Sequence, residues 1–541
     1  MQFQLADLYE CLCDTDPEAP VLIAGVKEFS RMALDQRANR LAHHLLAQGI
    51  GRGDHVGVYA YNRSEWVEAL LACWKIGAAA ININFRYVTS ELRYIWDNAD
   101  MKALIYEDRF ADHVTELAGD FPDLTHYIHL ETEDPSDATG PGEAYEDALD
   151  RESPDRGFAT RSEDDIYIVY TGGTTGMPKG AMWRHVDLYN NIARPLAGEL
   201  EDPEDVARMS DNPLGMRTLT LSPLMHGGGQ WPFLLTIING GVGLLPVALK
   251  FDPEEVLGMV DRHQVTTVSL IGDAMARPIA EARKAEPDRW DTRSLKAIST
   301  GGALLTDPVR RALREAFGRI YVTGGIGSTE MGTAARETSA YDKDQGPRFA
   351  LDQRVAVLDE EMKRIEPGNG GIGRLARCGD IPLGYYNEPE KTAEVFVTDP
   401  DGVRWVLPGD WARVEDDGTI TLLGRGSQCI NSGGEKIFPD EIEGVLVQHP
   451  KVRHAAVVGV PDPDWMERVV ALVELLDPDE PVSLEEIQAH CRARLAGYKT
   501  PRQLILGPIE RTPTGKIDTV RVVARARQTA SPERGLNPTV D

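Results

Sequence analysis

The sequence predicts an α/β fold: a large N-terminal region of layered α/β subdomains, followed by a smaller α+β domain. Three observations support this class. The chain has 541 residues, which is too long for a single hydrophobic core. Helical and strand-like apolar patterns alternate up to about residue 330, as expected for layers built on mostly parallel sheets. Beyond residue 427 the pattern changes to a shorter unit of ordinary domain size.

The N-terminal region begins with this alternation. Between Ser30 and Gly49, apolar residues recur at helical spacing, and Gly49 is a typical helix stop. Apolar strands are predicted at 55–60, 79–83 and 165–170. Each helix should therefore pack one apolar face onto a sheet.

The smaller unit has its own pattern. Strands are predicted at 455–460 and 469–473. A helix follows that begins with the capping box Ser483–Glu486 and is expected to stop at Gly497. Residues after about Gln528 are predicted to be a frayed tail.

Composition excludes several classes of protein. The formal net charge is −29, from 57 basic and 86 acidic residues, which argues against a general nucleic-acid or anionic-membrane surface. The six cysteines are scattered without a CxxC pair, so neither a disulfide framework nor a zinc site of paired cysteines is expected. The opening residues lack a signal-peptide pattern, and we expect a cytoplasmic protein.

Residues 218–249 contain no formal charge and are long enough to raise the question of a membrane span. The segment is interrupted by Pro223, Pro232 and Pro246 and by several glycines and polar side chains. We therefore interpret it as buried interior and predict no integral membrane segment.

The segment Tyr170–Gly180 has the composition of a phosphate-binding loop. It follows the predicted strand at 165–170, so its backbone N–H groups can point at an anion beyond the strand end. Glycines allow close approach, threonine hydroxyls donate, and one lysine adds charge. The residues concerned are Thr171, Gly172, Gly173, Thr174, Thr175, Gly176 and Lys179.

Two other interpretations of this segment are a P-loop and an ordinary turn. A P-loop has a lysine directly after its second glycine and a Ser or Thr after the lysine, whereas here Met177 and Pro178 precede Lys179 and Gly180 follows it. An ordinary Gly/Thr turn is the common origin of short glycine clusters. The concentration of threonine, glycine and lysine over eleven residues favours phosphate binding, with ATP as the expected ligand.

With this loop, the chain resembles the adenylate-forming superfamily of acyl-CoA synthetases, luciferases and adenylation domains, and the similarity extends over nearly its whole length. Segment 299–303 resembles the family's adenine loop, which implies nucleotide contacts by Gly301, Gly302 and Ala303. Segment 327–330 is similar to the family's GxTE element, and Ile326 directly precedes it. The resemblance implies nucleotide contacts by Ile326, Gly327 and Ser328, a phosphate contact by Thr329, and Mg²⁺ binding by Glu330. Ile326 stands where relatives usually have an aromatic residue.

Taken singly, Glu330 is better explained as a carboxylate at a helix start and segment 299–303 as a plain turn. The order of these motifs along the chain favours nucleotide binding instead. The resemblance also assigns roles near the domain border. Asp410 is similar to the family's ribose-binding aspartate, and Arg425 to its ribose and phosphate arginine. The implied organisation is an AMP-binding and acyl-binding domain at 1–424, a hinge at 425–427 and a mobile lid domain at 428–541. Ser427 replaces the family's usual Asp or Lys at the hinge.

Lys516, in the segment 511–518, resembles the catalytic lysine of the family's terminal PTGK loop. A lysine there would lower the repulsion between an attacking carboxylate and the α-phosphate. The alternative is a solvated turn lysine. Gly433, Gly434 and Lys436 are similar to the segment that lines the family's pantetheine channel, where Lys436 replaces the commoner Asn.

The acyl site is expected around His226, which resembles a family residue at the junction of acyl pocket and thiol channel. Three glycines follow, and they either leave room for a bulky acid or allow close helix packing. No acidic residue stands beside His226 to bind an α-ammonium group, which argues against an amino-acid substrate. The predicted substrate-binding residues are His226, Gly227, Gly228, Gly229 and Gln230.

The predicted function is therefore ATP-dependent acyl-CoA ligation through an acyl adenylate, with ATP, CoA and Mg²⁺ as cofactors. The amino-acid sequences of segments 182–185 and 224–231 resemble those of the bacterial branch of the family that activates fatty acids and steroid side-chain carboxylates. Two alternatives stay open: transfer of the acyl group to a carrier protein, and a nucleotide-binding regulatory protein without catalysis. The expected partners are a small carboxylic acid, ATP and CoA, with no nucleic acid. The sequence does not decide the oligomeric state, and a homodimer stays open.

Overall fold

The computed structural model describes residues 3–132, 139–171, 177–303, 305–338, 347–368, 370–432, 435–462, 466–495, 497–512 and 517–529. The chain groups into two compact units. The first comprises Met1–Leu305, Val309–Arg336 and Arg377–Pro408, and the second comprises Thr306–Pro308, Glu337–Ala376 and Gly409–Asp541. Both contain helices and sheets, so the predicted α/β class is confirmed. The predicted boundary and hinge at 425–427 stay predictions.

The first unit contains two smaller sheets. One has five parallel strands in the order Ala79–Asn82, His55–Tyr59, Met101–Glu107, His126–Leu130 and Glu143–Ala144. The other is antiparallel, in the order Gly384–Tyr385, Lys179–Arg184 and Ile166–Thr171.

A further, mostly parallel set of strands completes the first unit. Its order is Lys27–Ser30, Pro20–Ala24, Val242–Leu245, Arg217–Thr220, Thr267–Leu270, Ala297–Thr300, Tyr321–Ser328 and Gly332–Glu337. The first and last pairs are antiparallel. Strands Phe396–Thr398 and Arg404–Val406 form a hairpin.

The α-helices of the first unit cover these sheets. Its buried apolar side chains form separate clusters, one of which includes the buried indoles of Trp66, Trp74 and Trp183. The helices are Leu5–Thr15, Arg31–Ala47, Ser64–Ile76, Thr89–Asn98, Ala111–Leu117, Tyr145–Asp150, His185–Leu188, Arg194–Ala197, Gly227–Ile238, Pro253–His263, Gly272–Ala285, Asp307–Phe317 and Pro389–Val395.

The uncharged segment 218–249 forms part of this interior. It contributes strand Arg217–Thr220, helix Gly227–Ile238 and strand Val242–Leu245, most of whose side chains are buried. Among the described residues, no helix is both long enough and apolar enough to cross a bilayer.

The second unit contains two sheets. One is formed by Arg348–Leu351, Ile420–Arg425, Asp410–Val414, Ile372–Cys378 and Val355–Leu358. The other has the order Glu435–Ile437, Ile430–Ser432, Met466–Leu475 and Val452–Asp462, with Gln503–Leu506 parallel to Met466–Leu475. Its helices are Pro439–Leu446, Leu484–Arg492 and Thr519–Thr529.

The predicted capping box of this unit is observed in part, because the Ser483 hydroxyl accepts a hydrogen bond from the Glu486 N–H. The helix ends at Arg492, five residues before the predicted stop at Gly497. Its C-terminus tightens there, since the N–H groups of Arg494 and Leu495 share the Cys491 carbonyl.

Candidate functional site

The predicted phosphate loop leaves the end of a buried strand. Strand Ile166–Thr171 pairs with Lys179–Arg184, and Thr171 lies opposite Lys179 at the loop end of this hairpin. The two residues that bracket the loop are therefore neighbours. Gly172, Gly173, Thr174, Thr175 and Gly176 lie outside the described residues.

Asn82 fixes the strand end from which the loop departs. Its buried amide accepts from the Tyr170 N–H at 2.7 Å and donates to the Tyr170 carbonyl at 2.8 Å. The same amide nitrogen donates to the Met225 carbonyl at 2.6 Å, one residue before His226. One side chain thus ties the phosphate-loop strand to the predicted acyl site.

A tyrosine that the sequence analysis did not single out joins two of the predicted residues. The Tyr385 hydroxyl donates to Glu330 Oε1 at 2.8 Å, and Lys179 Nζ lies 5.7 Å from the centroid of the Tyr385 ring. The separation of Lys179 Nζ from the ring is a cation–π distance. The cation of the loop hairpin and the predicted metal-binding carboxylate therefore contact one aromatic side chain.

The sequence signal for Tyr385 is weak but physical. It follows Gly384, which has a φ of +150°, a backbone conformation that favours glycine. A Cβ at this position would also lie only 2.5 Å from Thr392 Cγ2. The Gly–Tyr pair adds an edge strand to the hairpin, with Tyr385 opposite Ala181. A glycine needed for backbone approach, next to an aromatic residue, could have indicated this position.

Thr329 and Glu330 follow strand Tyr321–Ser328, and both side chains are half-buried. The Thr329 carbonyl accepts from Trp183 Nε1 at 3.0 Å. A Cβ built on Gly227 would lie 3.6 Å from Thr329 Oγ1, so the turn after His226 lies beside the predicted phosphate-contacting hydroxyl. The structure thus brings these two predicted segments together.

The turn beyond Glu330 is braced by Asn191, which lies in the π-helix Tyr189–Ala193. Its amide donates to the carbonyls of Met331 at 3.0 Å and Asp380 at 3.2 Å, and it accepts from the Thr333 N–H at 2.9 Å. Single π turns are common near functional sites because they redirect side chains. Here the turn directs Asn191 toward the backbone that positions Glu330.

The remaining predicted nucleotide residues of the first unit lie on strand ends. Ile326 is buried in strand Tyr321–Ser328, where Gly327 and Ser328 continue toward Thr329. A Cβ on Gly327 would lie 2.3 Å from the Gly332 carbonyl oxygen, which requires glycine.

The predicted adenine loop follows strand Ala297–Thr300. Gly301 and Gly302 are exposed, and the Thr300 hydroxyl donates to the Ala303 carbonyl at 2.7 Å. The loop therefore offers exposed backbone for a flat ring to lie against. Contact of these residues with adenine stays a prediction.

His226 caps helix Gly227–Ile238, and its carbonyl accepts from the N–H groups of Gly229 and Gln230. The three glycines that follow differ in their surroundings. A Cβ on Gly229 would lie 2.3 Å from the Pro223 carbonyl oxygen, whereas a Cβ on Gly228 would meet no atom of the described residues within 4 Å. Close packing thus accounts for Gly229, and Gly228 faces open space.

Gln230 has both ends of its amide engaged by protein groups. Its Nε2 donates to the Leu224 carbonyl at 2.7 Å, and its Oε1 accepts from the Tyr167 hydroxyl. The side chain is buried, so these contacts hold the turn that carries His226. A substrate contact by Gln230 stays a prediction.

In the second unit, Asp410 and Arg425 are cross-strand neighbours. Arg425 Nε lies 3.5 Å from Asp410 Oδ1, and the backbones pair in antiparallel register. Desolvation, followed by repulsion from Asp410, raises the pKa of Asp440, while Arg425 acts in the opposite direction. The predicted ribose carboxylate and its arginine are thus adjacent within one sheet.

Other predicted residues of this unit fall outside the described residues or are described only in their backbone. Gly433, Gly434 and Lys516 are outside, although a bridge between Arg511 and Ile517 brackets the loop that contains Lys516. Lys436 pairs through its backbone with Asn431, and its side chain is not described.

Two family models match the chain. The AMP-binding enzyme model matches residues 11–380, and the model of the AMP-binding enzyme C-terminal domain matches residues 441–516. A 3-oxocholest-4-en-26-oate–CoA ligase of Rhodococcus rhodochrous is 41% identical over 531 residues, covering 96% of this chain and 95% of the relative. A medium/long-chain-fatty-acid–CoA/3-oxocholest-4-en-26-oate–CoA ligase of Mycobacterium marinum is 42% identical over 528 residues, covering 95% of each.

Solved structures share the fold at lower identity. The anthranilate CoA ligase AuaEII in complex with anthranoyl-AMP matches with a TM-score of 0.83 at 24% identity, covering 98% of each chain. ATP-bound MatB from Rhodopseudomonas palustris matches with a TM-score of 0.81 at 24% identity, covering 98% of this chain and 100% of the other.

Proposed function

The chain belongs to the AMP-binding enzyme family, and from this premise we propose that it is an ATP-dependent acyl-CoA ligase acting on a bulky or long apolar carboxylic acid. The observation that carries the proposal is the grouping of Lys179, Tyr385 and Glu330 beside the Thr171 strand end. A cation and a carboxylate held by one aromatic side chain at a glycine-rich loop suit a triphosphate and its counter-ion.

Lys179 and Glu330 have complementary tasks in this proposal. Lys179 neutralises phosphate charge from the loop hairpin. Tyr385 fixes one oxygen of the half-buried Glu330 carboxylate, which suits a hard cation because such ions take oxygen ligands. Mg²⁺, when bound, would supply positive charge to the phosphate oxygens as they separate. The residues at this position therefore fit a magnesium ion.

The proposed acid binds along the turn that follows His226. Gly228 faces open space there, and Gly227 lies beside Trp231 and Thr329. An apolar acid passing this turn would bring its carboxylate toward Thr329 and Glu330. Relatives named for 3-oxocholest-4-en-26-oate and for medium or long-chain fatty acids support this substrate class.

The reaction is proposed to proceed in two half-reactions. A carboxylate oxygen attacks the α-phosphorus of ATP and pyrophosphate leaves; the CoA thiolate then attacks the acyl carbonyl and AMP leaves. Lys516 is assigned to the first step, and Gly433, Gly434 and Lys436 to the thiol channel of the second. We assign the exchange between steps to rotation of the lid domain at 425–427.

The test is acid-dependent formation of AMP and acyl-CoA. The purified chain is incubated with ATP, Mg²⁺ and CoA and a panel of aliphatic, aryl and steroid side-chain acids. We expect AMP and acyl-CoA in equal amounts with long aliphatic or steroid acids, and loss of both in Lys179→Ala and Glu330→Gln. Lys391→Ala, which removes an exposed lysine paired with Glu394, is the matched control and should retain activity.

The same assay separates the alternatives. Acyl adenylate that accumulates with CoA and is consumed only by a carrier protein would assign transfer to a carrier. Absence of pyrophosphate release with every acid, from a chain that still binds ATP, would contradict the proposal and favour a regulatory nucleotide-binding protein.

A further inference from the structure

Two histidines and a glutamate from three separate elements meet in the first unit, at the edge of its five-stranded sheet. His44 is in helix Arg31–Ala47, His126 begins strand His126–Leu130, and Glu143 begins strand Glu143–Ala144. Among the described residues, this is the one group of three or more His, Cys, Asp or Glu side chains whose ligand atoms lie close enough to hold a metal ion.

The atoms that converge are metal ligands. His44 Nε2 lies 2.8 Å from His126 Nε2 and 3.1 Å from Glu143 Oε1, and His126 Nε2 lies 3.8 Å from the same oxygen. Bond lengths of about 2.0–2.1 Å around a tetrahedral zinc ion place neighbouring ligand atoms about 3.3–3.5 Å apart. The three observed separations bracket that value, so an ion fits between the groups after shifts of a few tenths of an ångström.

One outer contact orients the carboxylate, because Glu143 Oε2 pairs with Arg151 and Oε1 therefore turns toward the histidines. The second ring nitrogen of His44, Nδ1, lies 3.9 Å from Glu152 Oε1, an ion-pair distance that is too long for a hydrogen bond. A carboxylate near the outer nitrogen of a ligating histidine is a common feature of zinc sites.

An ion has an entry path, because the side chains of His126 and Glu143 keep 14% and 28% of their exposure while that of His44 keeps 3%. A water could complete the ligand set from the open side.

We propose that His44, His126 and Glu143 form a binding site for a divalent transition-metal ion, with Zn²⁺ as the best match to two imidazoles and one carboxylate. The site shares no residue with the proposed cation position at Glu330. It links helix Arg31–Ala47 to the last two strands of the five-stranded sheet, which lie far from that helix in sequence, so the bound ion would stabilise the folded first unit. A direct hydrogen bond between the two imidazoles is the competing explanation of the geometry.

The experiment uses the full chain, treated with a chelator and then dialysed at pH 7 without ATP. Titration with Co²⁺ should give one equivalent of binding with the visible absorption of a tetrahedral site, and Zn²⁺ should abolish that spectrum. Zn²⁺ affinity is measured separately by competition with a chromophoric indicator. Saturating Zn²⁺ should also raise the Tm.

Two ligand variants and two controls make the result specific. His126→Gln and Glu143→Gln should each weaken Zn²⁺ binding by about tenfold or more. His129→Gln is the matched control, since His129 lies on the same strand and pairs with Asp108 without a second histidine. Glu330→Gln tests the other cation position. Both controls should bind one equivalent, and circular dichroism checks that each variant is folded.

Absence of the Co²⁺ spectrum and of stoichiometric Zn²⁺ binding would assign the cluster to an imidazole–imidazole hydrogen bond. Zn²⁺ binding that is unchanged in both His126→Gln and Glu143→Gln would show that the ion binds at another site, and would contradict the proposal. Because no substrate is present, neither result depends on whether the chain is an acyl-CoA ligase.

Discussion

Tyr385 contacts the candidate site through two different parts of its side chain. The hydroxyl donates to Glu330, whereas the ring faces Lys179. These parts can be removed separately. A phenylalanine keeps the ring beside the lysine and leaves the carboxylate without its donor, so the two contributions are experimentally distinct.

We expect Tyr385→Phe to lower kcat/KM for adenylate formation by about 10- to 100-fold, the range that corresponds to losing a hydrogen bond to a charged group. The activity should also require more Mg²⁺, because Glu330 loses its orientation. The matched control is Tyr386→Phe. This change removes the hydroxyl of the neighbouring tyrosine, which donates a hydrogen bond to Asp100 and not to Glu330. Pyrophosphate release at varied Mg²⁺ measures both. Equal activity of the two variants would contradict a positioning role for Tyr385.

Single residues show how far sequence analysis reaches into this site. Lys179, Thr329 and Glu330 were predicted because each belongs to a local motif. Tyr385 was missed because its partners are 206 and 55 residues away, and its only local signal is one preceding glycine. Asn82 lies in the strand predicted at 79–83, and its bonds to Tyr170 and Met225 join two segments that are remote from it in sequence.

The helix that follows His226 begins with glycines that do different work. Gly229 approaches a backbone carbonyl and cannot accept a side chain without movement of the main chain. Gly228 faces open space. From the sequence, packing and substrate volume are equal alternatives for all three glycines, because identical neighbouring residues carry no local signal that distinguishes them.

Gly229→Ala should destabilise the chain by about 1–3 kcal/mol, because its Cβ would overlap the Pro223 carbonyl oxygen and the turn must shift. Gly228→Ala is the matched control and should change stability by less than about 1 kcal/mol. Thermal and urea denaturation of both variants measure the difference. A destabilisation by Gly228→Ala as large as that by Gly229→Ala would contradict the packing assigned to this turn.

The short helix His185–Leu188 begins with a histidine enclosed by aromatic side chains. The His185 ring lies 5.5 Å from Trp74 and 6.4 Å from Tyr167, both nearly edge-on. Neither ring nitrogen has a hydrogen-bond partner among the described residues. Burial, assisted by the charge of Arg161, lowers the pKa of His185 to about 3. The folded state therefore requires the His185 imidazole to be neutral.

This element should make the first unit sensitive to acid. The unfolded chain protonates His185 near its ordinary pKa of about 6.5, whereas the folded chain does not, so stability falls as the pH decreases from that value toward 3. The limiting slope for one such group is about 1.4 kcal/mol per pH unit. His185→Leu should reduce the loss of Tm between pH 7 and pH 4.5. An unchanged pH dependence in the variant would contradict the assignment.

Element boundaries were predicted to within a few residues where a local signal marks them. Ser30 caps helix Arg31–Ala47, and the strands predicted at 55–60 and 79–83 are observed at His55–Tyr59 and Ala79–Asn82. The order of strands within the sheets could not be predicted. It depends on pairings such as Pro20–Ala24 with Val242–Leu245, which join segments more than two hundred residues apart.

For the whole molecule, the resemblance to adenylate-forming enzymes is confirmed, since two family models and relatives above 40% identity match the chain. The order of the motifs along the sequence was sufficient to identify the family, because each motif is a short local stretch whose residues can be recognised without knowledge of the fold. The identity of the acid was not accessible in the same way. Its pocket is assembled from segments such as 182–185 and 224–231, whose mutual distance is set only by folding.

The two half-reactions give the sharpest test of how the domains share the chemistry. If Lys516 bridges the carboxylate and the α-phosphate, Lys516→Ala should lose adenylate formation by about 10²-fold or more, the usual cost of removing a charge-stabilising group. Thioester formation from supplied acyl adenylate and CoA should be retained, because the thiol channel is assigned to Gly433, Gly434 and Lys436. Single-turnover assays of each half-reaction measure the two rates.

Lys451→Ala is the matched control, since Lys451 belongs to the same unit as Lys516 but pairs with Glu486 and is remote in sequence from residue 516. It should leave both half-reactions unchanged. The reciprocal variant Gly433→Leu should block thioester formation and spare adenylate formation, because it fills the proposed channel without removing Lys516. Equal loss of both half-reactions in Lys516→Ala would show that this lysine supports the fold or both steps alike, and the division of labour by rotation at 425–427 would then have to be abandoned.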